Sequence, residues 1–479
     1  MHGALTTRQR WTALVLLCLG ELMIVLDSTV VNVALPSIRD DLGFRETALV
    51  WVVNAYMLTY GGFMLLGGRL GDLYGQRKVF LWGLVAFTLA SAACGVAGSQ
   101  AVLIVARAVQ GVGGAVVSAV ALSLIMNLFT EDAERAKAMG VYGFVCAGGG
   151  SLGVLVGGFL THALHWHWVF LVNLPIGLAV FAACARLLPE GRGRPGTRLD
   201  LAGAATITLS LLLAVYAVID GNSAGWTSPR TLGLLGAAVA LFAVFLVVEA
   251  RADAPLMPLG IFRNRNLSVA NVVGTLWAAG MFAWFFIAAL YLQQVLRYTP
   301  LEVGLAFLPA NLIMAVFSIG LSARMVTRWG IRLPLALGLL LAAVGLGLFA
   351  QAPVDGRFLP HVLPAMLLLG LGAGMALNPV LLAAMSDVGP QDSGLASGIV
   401  NTAFMMGGAL GLAVLASVAA ARTAALPHLG TAAALTAGYQ LAMGLGALAA
   451  LAGAAIAAVG IRPPAAAPTG PLPQPEPSR

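Results

Sequence analysis

The sequence predicts an all-α polytopic membrane protein with fourteen transmembrane helices, arranged as two six-helix halves plus two inserted central helices. Of the 479 residues, 60% are hydrophobic and only 9% are charged, whereas a soluble domain of this length needs far more surface charge. Apolar runs of about 18 to 25 residues recur along the chain, and a run of that length crosses a hydrocarbon layer of about 30 Å. Basic residues also concentrate in alternate connecting segments, which is typical of multi-spanning membrane proteins.

The predicted spans follow one another from the first apolar run almost to the end of the chain. The first span follows Arg8 and Arg10, as the apolar part of a signal peptide would. However, it is too long, contains acidic residues and lacks a small-residue cleavage site, so we predict a retained helix. The spans lie near residues 12–34, 47–68, 78–99, 101–127, 135–161, 167–188, 200–219, 231–250, 267–293, 302–325, 331–351, 359–385, 394–420 and 436–460.

The spans divide the chain into six parts. The segment between the halves and the final segment are rich in Gly and Pro, so we predict a cytoplasmic linker and a disordered tail. In chain order, the parts are an amino-terminal segment (1–11), the first half (12–188), the linker (189–199), two extra helices (200–250), the second half (251–460) and the tail (461–479).

The distribution of charge predicts the orientation. With the amino terminus inside, most of the 26 Lys and Arg residues fall in cytoplasmic segments, as the positive-inside rule requires. The net charge of +7 is therefore a topology signal and does not indicate a nucleic-acid partner. We predict a monomeric protein of the bacterial cytoplasmic (inner) membrane, with both termini in the cytoplasm.

The turns after the second and tenth spans resemble each other. Placing Gly75 on Gly330 also pairs Arg69 with Arg324, and a turn repeated at the same place in each half predicts an internal repeat of six helices. The turn is either a topology signal alone or a latch that breaks and re-forms as the halves rock. Its candidate residues are Gly68, Arg69, Asp72, Gly75 and Arg77.

Three charged residues lie well inside predicted spans: Glu21, Asp27 and Arg107. Because a charge in the bilayer centre costs about 2.5–3.5 kcal/mol, each should face protein or a watery cavity. Glu21 and Asp27 are about 120° apart around one helix and about 9 Å apart along it, so they cannot form a tight dyad. A buried acid beside the permanent charge of Arg107 suits proton exchange, and the alternative is an ion pair that only stabilises packing.

Small residues line two of the spans. In span 4, Gln110 shares a face with Arg107, together with glycines. In span 5, glycines recur at spacings of about one helical turn, and such stripes allow close crossing of helices in a membrane. The span 5 residues are Gly149, Gly153, Gly157 and Gly158.

Other chemistry has little support. His162, His165 and His167 form a histidine-rich stretch, but no Cys or acid accompanies them in the sequence, so packing at the membrane interface beside Trp is favoured over metal binding. The spans contain no nucleotide-binding, metalloprotease or nucleophile-elbow motif, and we therefore predict no cofactor, no metal and no enzymatic activity.

Taken together, the motifs resemble those of the major facilitator superfamily, in its branch of fourteen-span drug:proton antiporters. The run from Leu26 to Pro36 is similar to the first-span motif of that branch, and the run from Gly68 to Arg77 to the signature turn. Val154 follows Gly153 where the antiporter motif usually has Pro. The fourth-span motif (Arg107 to Gly114) and the sixth-span signature (Trp166 to Gly177) also match. The resemblance implies two parallel halves and proton coupling through Arg107.

We therefore expect a proton-coupled exporter of a small hydrophobic drug, antibiotic or secondary metabolite, working by alternating access. The proton-coupling residues would be Asp27, Arg107 and Glu21. Uptake or exchange of a metabolite is an alternative, and a non-transporting receptor is another, although a receptor has no need to bear the cost of the buried charges. Candidate substrate-binding residues, besides Glu21 and Asp27, are Trp277, Phe282, Trp284, Met375, Asn378, Met405 and Met406.

Overall fold

A computed structural model of the chain describes residues 6–129, 131–189, 200–253, 255, 257–317, 321–386 and 393–462. The predicted tail falls outside this part of the chain except for Ile461 and Arg462, and the predicted linker except for Pro189. The described residues are overwhelmingly helical, as the sequence predicts.

The first seven helices follow each other through short connections. Thr6 begins α1 with a capping box to Gln9, and the side chain of Ser99 caps α4 by accepting from the Val102 N–H, which satisfies donors that have no partner within the helix. The helices are α1 (Thr7–Leu42), α2 (Glu46–Tyr74), α3 (Gln76–Gly95), α4 (Gln100–Leu128), α5 (Asp132–Ala163), α6 (Trp168–Leu171) and α7 (Asn173–Leu187).

Nine further helices complete the described chain. Thr299 and Glu302 form a second capping box at the start of α11, where Pro300 occupies a position that needs no N–H. The helices are α8 (Leu201–Ala224), α9 (Pro229–Arg251), α10 (Arg265–Leu290), α11 (Pro300–Val316), α12 (Ser322–Trp329), α13 (Arg332–Phe349), α14 (Leu363–Met385), α15 (Ser393–Ala424) and α16 (Thr431–Gly460).

Twelve helical segments among the described residues are long and apolar enough to cross a membrane. Two shorter apolar helices, Leu152–Ala163 and Pro300–Val316, lie in the fifth and tenth predicted spans. α5 as a whole runs from Asp132 to Ala163, and residues 318–320, between α11 and α12, lie outside the described residues. The structure thus supports a multi-spanning helical protein, and the count of fourteen stays a prediction.

The helices pack in two sets that repeat the same contacts. In the first set α1 packs on α5, α3 on α4 and α2 on α4, and in the second set α10 packs on α15, α13 on α14 and α11 on α14. The largest contacts between the sets are those of α2 with α15 and of α5 with α11. The hairpin of α8 and α9 stands at one of these junctions, since α8 contacts both α2 and α15. A hydrogen bond from Ser417 Oγ to the Val218 carbonyl (2.9 Å) fixes it there.

The repeated turn occupies equivalent places in the two sets. Gly75 lies between α2 and α3 with φ of 91°, and Gly330 lies between α12 and α13 with φ of 72°. Only glycine adopts such left-handed conformations without strain. The same alignment continues along the helix after each turn, α3 and α13. Phe87 of α3 and Ala342 of α13 each pack closely against a glycine of the neighbouring helix. The sequence repeat therefore corresponds to a structural one.

The glycines of α5 bring two backbones together. A Cβ on Gly157 would lie 2.6 Å from the Val30 carbonyl oxygen of α1, and one on Gly153 would lie 2.9 Å from the Leu26 carbonyl oxygen. Gly149 likewise faces α1, whereas Gly158 faces Pro300 of α11, across the junction between the sets. The stripe is thus the crossing surface that the sequence predicts, because any side chain there would separate the helices.

We predict that Gly157→Ala lowers the free energy of unfolding by about 1–3 kcal/mol, since the new methyl group would overpack the α1–α5 crossing. Gly150→Ala is the matched control on the same helix, because the nearest atom to a Cβ there is 3.9 Å away. Thermal unfolding of the purified protein in detergent measures both. Equal midpoints for the two variants would contradict this account of the crossing.

Candidate functional site

A buried ion pair lies at the centre of the first helix set. Arg107 of α4 forms a salt bridge through Nη1 with Asp27 Oδ2 of α1, and both side chains are 0% exposed. Two of the three charged residues singled out in the sequence are therefore direct partners. The cost of burying such a pair is offset only when further hydrogen bonds satisfy most of the remaining donors and acceptors.

Neutral amides satisfy the second oxygen of Asp27. Gln110 Nε2 donates to Asp27 Oδ1 at 2.7 Å, and Asn173 Nδ2 of α7 donates to the same oxygen at 2.9 Å. Gln110 lies one turn after Arg107, so the two residues share a face of α4. Gln110 also donates to Ser91 Oγ at 2.8 Å, which connects the network to α3.

The guanidinium of Arg107 is fixed by contacts from three directions. Its Nε donates to the Val52 carbonyl oxygen of α2 at 2.9 Å, and its Nη1 donates to Gln110 Oε1 at 2.7 Å. The ring of Tyr56 lies 4.4 Å from the guanidinium carbon, close enough for a cation–π interaction. Within the described residues, Arg107 Nη2 has no hydrogen-bond partner. Arg107 is thus held in place through Nε and Nη1.

Glu21 faces a different part of the protein. It is 4% exposed, and its polar neighbours are Ser118 of α4 and Tyr142 of α5. Its Oε2 has no hydrogen-bond partner in the part of the chain that the structure describes. Glu21 and Asp27 therefore form no dyad, in agreement with their predicted angular separation on α1.

The candidate aromatic lining residues lie within the second helix set. Trp277 packs against Phe404 with ring centres 5.3 Å apart, and Trp284 packs against Phe307 at 5.5 Å. Phe282 also contacts Phe404. Together with Met281, Ala342, Leu346, Leu369 and Ala373, the two tryptophans line a small apolar cavity between α10, α13 and α14.

The other candidate lining residues are dispersed. Met375 packs against Gly338 of α13, and Met405 and Met406 pack against Gly61 of α2, at the junction between the sets. Asn378 is half-buried, one residue before Pro379 inside α14. These residues and the two tryptophans do not converge on the Asp27–Arg107 pair, so a substrate site containing all of them remains a prediction.

The two helix sets differ at the position of the acid. At the α1–α5 crossing Leu26 lies against Gly153, and at the α10–α15 crossing Ala279 lies against Gly411. Asp27 follows Leu26 in α1, whereas Gly280 follows Ala279 in α10. Among the described residues, the framework therefore carries the Asp27–Arg107 network in the first set and an apolar contact at the equivalent place in the second.

The surroundings of Gly280 are also apolar. A Cβ on Gly280 would lie 3.2 Å from Leu346 Cδ1, and Leu346 and Leu369 occupy the positions that correspond, in the register of the repeat, to Ser91 and Gln110. Replacement of hydrogen-bonding side chains by leucines leaves no partner for a buried charge. Proton binding at the equivalent place in the second set is therefore disfavoured.

The signature turn connects helices of the first set. Arg77 donates through Nη2 to the Ala185 carbonyl oxygen of α7, and Gln76 Oε1 accepts from Asn127 Nδ2 at 2.9 Å. Gly68 has open space around it, and Arg69 is half-buried. The side chain of Asp72 lies outside the described residues, so its role in a latch stays a prediction.

Sequence reasoning did not assign a role to three members of the network: Asn173, Ser91 and Tyr56. Asn173 is part of the sixth-span signature, and an amide in an otherwise apolar helix is the signal that indicates a buried partner. Ser91 and Tyr56 offer no such signal, because single hydroxyls are common in membrane helices and often bond to their own backbone.

The site and the fold define a membrane transporter. Residues 17–412 match the model of the Major Facilitator Superfamily, and the chain belongs to that family. It is thus a multi-pass transport protein of the bacterial type and not an enzyme.

Relatives of known name share most of its length. The chain is 42% identical over 421 residues to puromycin resistance protein pur8 of Streptomyces alboniger, a match that covers 87% of this chain and 83% of the relative. It is 39% identical over 420 residues to cephamycin export protein CmcT of Amycolatopsis lactamdurans, covering 87% and 86%. Relatives named for antibiotic resistance or export support a drug efflux transporter.

A solved structure supports the fold. A bacterial homologue of the human lysosomal transporter Spinster, in an inward-facing and unoccupied conformation, superimposes with a TM-score of 0.66, covering 95% of this chain and 97% of that one. The two sequences are 16% identical, so the similarity concerns the fold alone.

We predict that Gln110→Leu destabilises the protein by about 1–3 kcal/mol, because it leaves acceptors of Asp27 and donors of Arg107 unpaired in the core. Ser91→Ala should cost less, since Gln110 keeps its bond to Asp27. Thermal unfolding midpoints in detergent compare the two variants with the unmodified protein. A larger loss in Ser91→Ala would show that Gln110 does not hold the network together.

Proposed function

We propose that the protein is a proton-coupled antiporter that exports small hydrophobic antibiotics or secondary metabolites across the bacterial cytoplasmic membrane. The observation that carries the proposal is the Asp27 carboxylate, fully buried and shared among Arg107, Gln110 and Asn173. Proton coupling needs an acid whose protonation changes the protein, and a carboxylate held by a permanent cation meets that need.

Protonation of Asp27 would break its ion pair. A neutral carboxyl group no longer compensates the charge of Arg107, and an uncompensated buried charge costs several kcal/mol. The guanidinium would then be driven to a new partner or to water, which biases the equilibrium between the two access states. Each proton that moves inward supplies about 2.3 kcal/mol per 100 mV of membrane potential.

Contacts between the helix sets close one end of the bundle. Gln293 Nε2 donates to the Val33 carbonyl oxygen at 3.0 Å, and Gly158 packs against Pro300. Both contacts lie at the distal end of the bundle, which we define as the end opposite the start of α1 and the end of α16. With both termini in the cytoplasm, the distal end is external, and this conformation is closed there.

Glu21 is the proposed contact for substrate. It lies on α1 about two turns closer to the cytoplasmic end than Asp27, and one of its carboxylate oxygens lacks a described partner. A carboxylate with spare hydrogen-bonding capacity in an apolar surrounding attracts a cationic drug strongly, because the local dielectric is low. The division of roles follows from position: Asp27 responds to protons, and Glu21 binds the substrate.

The names of the relatives suggest compounds for the test. One relative is named for resistance to puromycin and another for export of cephamycin. Puromycin carries a basic amine and cephamycins carry a carboxylate, so the pair covers both signs of charge.

We predict that Asp27→Asn abolishes proton-gradient-driven export while the protein remains in the membrane. The amide keeps the size of the side chain but cannot titrate. Asp40→Asn is the matched control on the same helix, because Asp40 is exposed and pairs with its neighbour Arg39. Export of puromycin from membrane vesicles, with and without an imposed pH gradient, measures the effect. Undiminished gradient-driven export by Asp27→Asn would overturn the assignment of Asp27.

We predict that Glu21→Gln reduces export of puromycin about tenfold or more, as expected when about 1.4 kcal/mol of binding is lost, without reducing resistance to cephamycin. Tyr142→Phe is the control, since it keeps the carboxylate. Resistance of expressing cells to each antibiotic provides the measurement. Equal loss for both antibiotics would instead assign Glu21 to the proton pathway.

Uptake or exchange of a metabolite is the competing function of the same fold. Counterflow in vesicles with a defined pH gradient separates the two functions. An antiporter moves the substrate in the direction opposite to the protons, whereas a symporter moves the substrate and the protons in the same direction. Absence of any compound-dependent proton flux would favour a receptor.

A further inference from the structure

Three side chains with metal-binding atoms meet at the distal end of the first helix set. Asp41 lies in the last turn of α1, and His165 and His167 lie in the connection between α5 and α6. One ligand atom from each residue lies within 4.8 Å of the other two. The sequence shows no acid beside the histidines, and it is the fold that brings Asp41 to them.

The two imidazoles are arranged around a shared position. His165 Nδ1 and His167 Nδ1 are 2.6 Å apart, and the rings are stacked with centres 4.7 Å apart. Two neutral nitrogens at this distance need a proton between them, since their lone pairs would otherwise repel. A metal cation that accepts both lone pairs also removes this repulsion. The two nitrogens would have to move slightly apart, and the exposed His165 and half-buried His167 side chains permit this.

Trp166 orients the carboxylate and one imidazole. Its Nε1 donates to Asp41 Oδ2 at 2.9 Å, and its ring stacks on that of His167 with centres 3.7 Å apart. Trp166 itself is 1% exposed, so it provides a rigid support. Hydrogen bonds from buried neighbours to ligating carboxylates are a regular feature of metal sites.

The neighbouring charges leave Asp41 free for this role. Asp40 forms a salt bridge with Arg39, at 2.7 Å between Arg39 Nη2 and Asp40 Oδ1. The described contact of Asp41 is the bond from Trp166, which occupies Oδ2.

We propose that Asp41, His165 and His167 form a binding site for a divalent transition-metal ion, with Zn²⁺ as the best fit. Two imidazole nitrogens and one carboxylate oxygen, with a fourth position open to water, are a common ligand set for Zn²⁺. Cu²⁺ and Ni²⁺ also favour imidazole, whereas Mg²⁺ and Ca²⁺ favour oxygen ligands alone and are excluded.

The position of the site predicts its effect on the protein. All three ligands belong to the first helix set, so the ion joins the end of α1 to the α5–α6 connection and does not bridge the two sets. Binding should therefore stabilise this set without blocking alternating access. A metal site between the sets would, in contrast, inhibit transport.

The test uses the full chain, purified in detergent without a polyhistidine tag and stripped of metal with a chelator. Calorimetric titration with Zn²⁺ should show one saturable site per chain, and Zn²⁺ but not Mg²⁺ should raise the thermal midpoint. His165→Ala, His167→Ala and Asp41→Asn should each weaken binding at least tenfold, whereas His428→Ala, an exposed histidine of the second set, should not.

Two further readouts keep the result decisive. Co²⁺ in place of Zn²⁺ should give visible absorption bands of a nitrogen- and oxygen-bound ion, and these should vanish in His167→Ala. Asp41→Asn preserves the acceptor for Trp166, so a folding defect is not expected, and an unchanged thermal midpoint without metal confirms it. Absence of saturable binding, or binding unaffected by all three substitutions, would overturn the proposal.

Discussion

The ion pair between Asp27 and Arg107 is the interaction on which the rest of the first helix set depends. Two opposite charges taken out of water gain stability only when their geometry is good and further hydrogen bonds satisfy the groups around them. Here the matching groups come from α2, α3 and α7 as well as from α1 and α4. One buried network therefore ties five helices of the first set to one another.

Close helix crossings supply that precision. Where α5 crosses α1, the side chains are reduced to hydrogen at Gly153 and Gly157, and the backbones touch. Membrane helices gain little from the hydrophobic effect when they associate, because lipid is as apolar as they are, so tight van der Waals packing has to hold them. Val154 fits this picture, since it is 1% exposed and its carbonyl oxygen faces Gly304 of α11. α5 is helical through this position, at the junction between the sets.

The second set shows how one framework serves two purposes. It repeats the crossings and the glycine turn of the first set, yet Gly280, Leu346 and Leu369 stand where the first set carries an acid, a serine and a glutamine. The proposed alternating access uses both sets, whereas the proposed proton coupling uses a titratable group of the first set. The tryptophans of the second set pack in its interior, against Phe404 and Phe307.

The sequence alone determined the class of structure, since long apolar runs can be stable only as membrane helices. It also determined the internal repeat, through Gly75 and Gly330. It identified the charged residues inside the spans as well, because their cost in a bilayer implies a structural or functional role. The tertiary structure decided which of those residues are partners: Arg107 binds Asp27, and Glu21 lies elsewhere. It also brought in Asn173, Ser91 and Asp41, whose contacts are distant in sequence. Periodicity records which face of a helix is apolar, but not which helix that face meets, and so partners across helices became visible only in the folded chain.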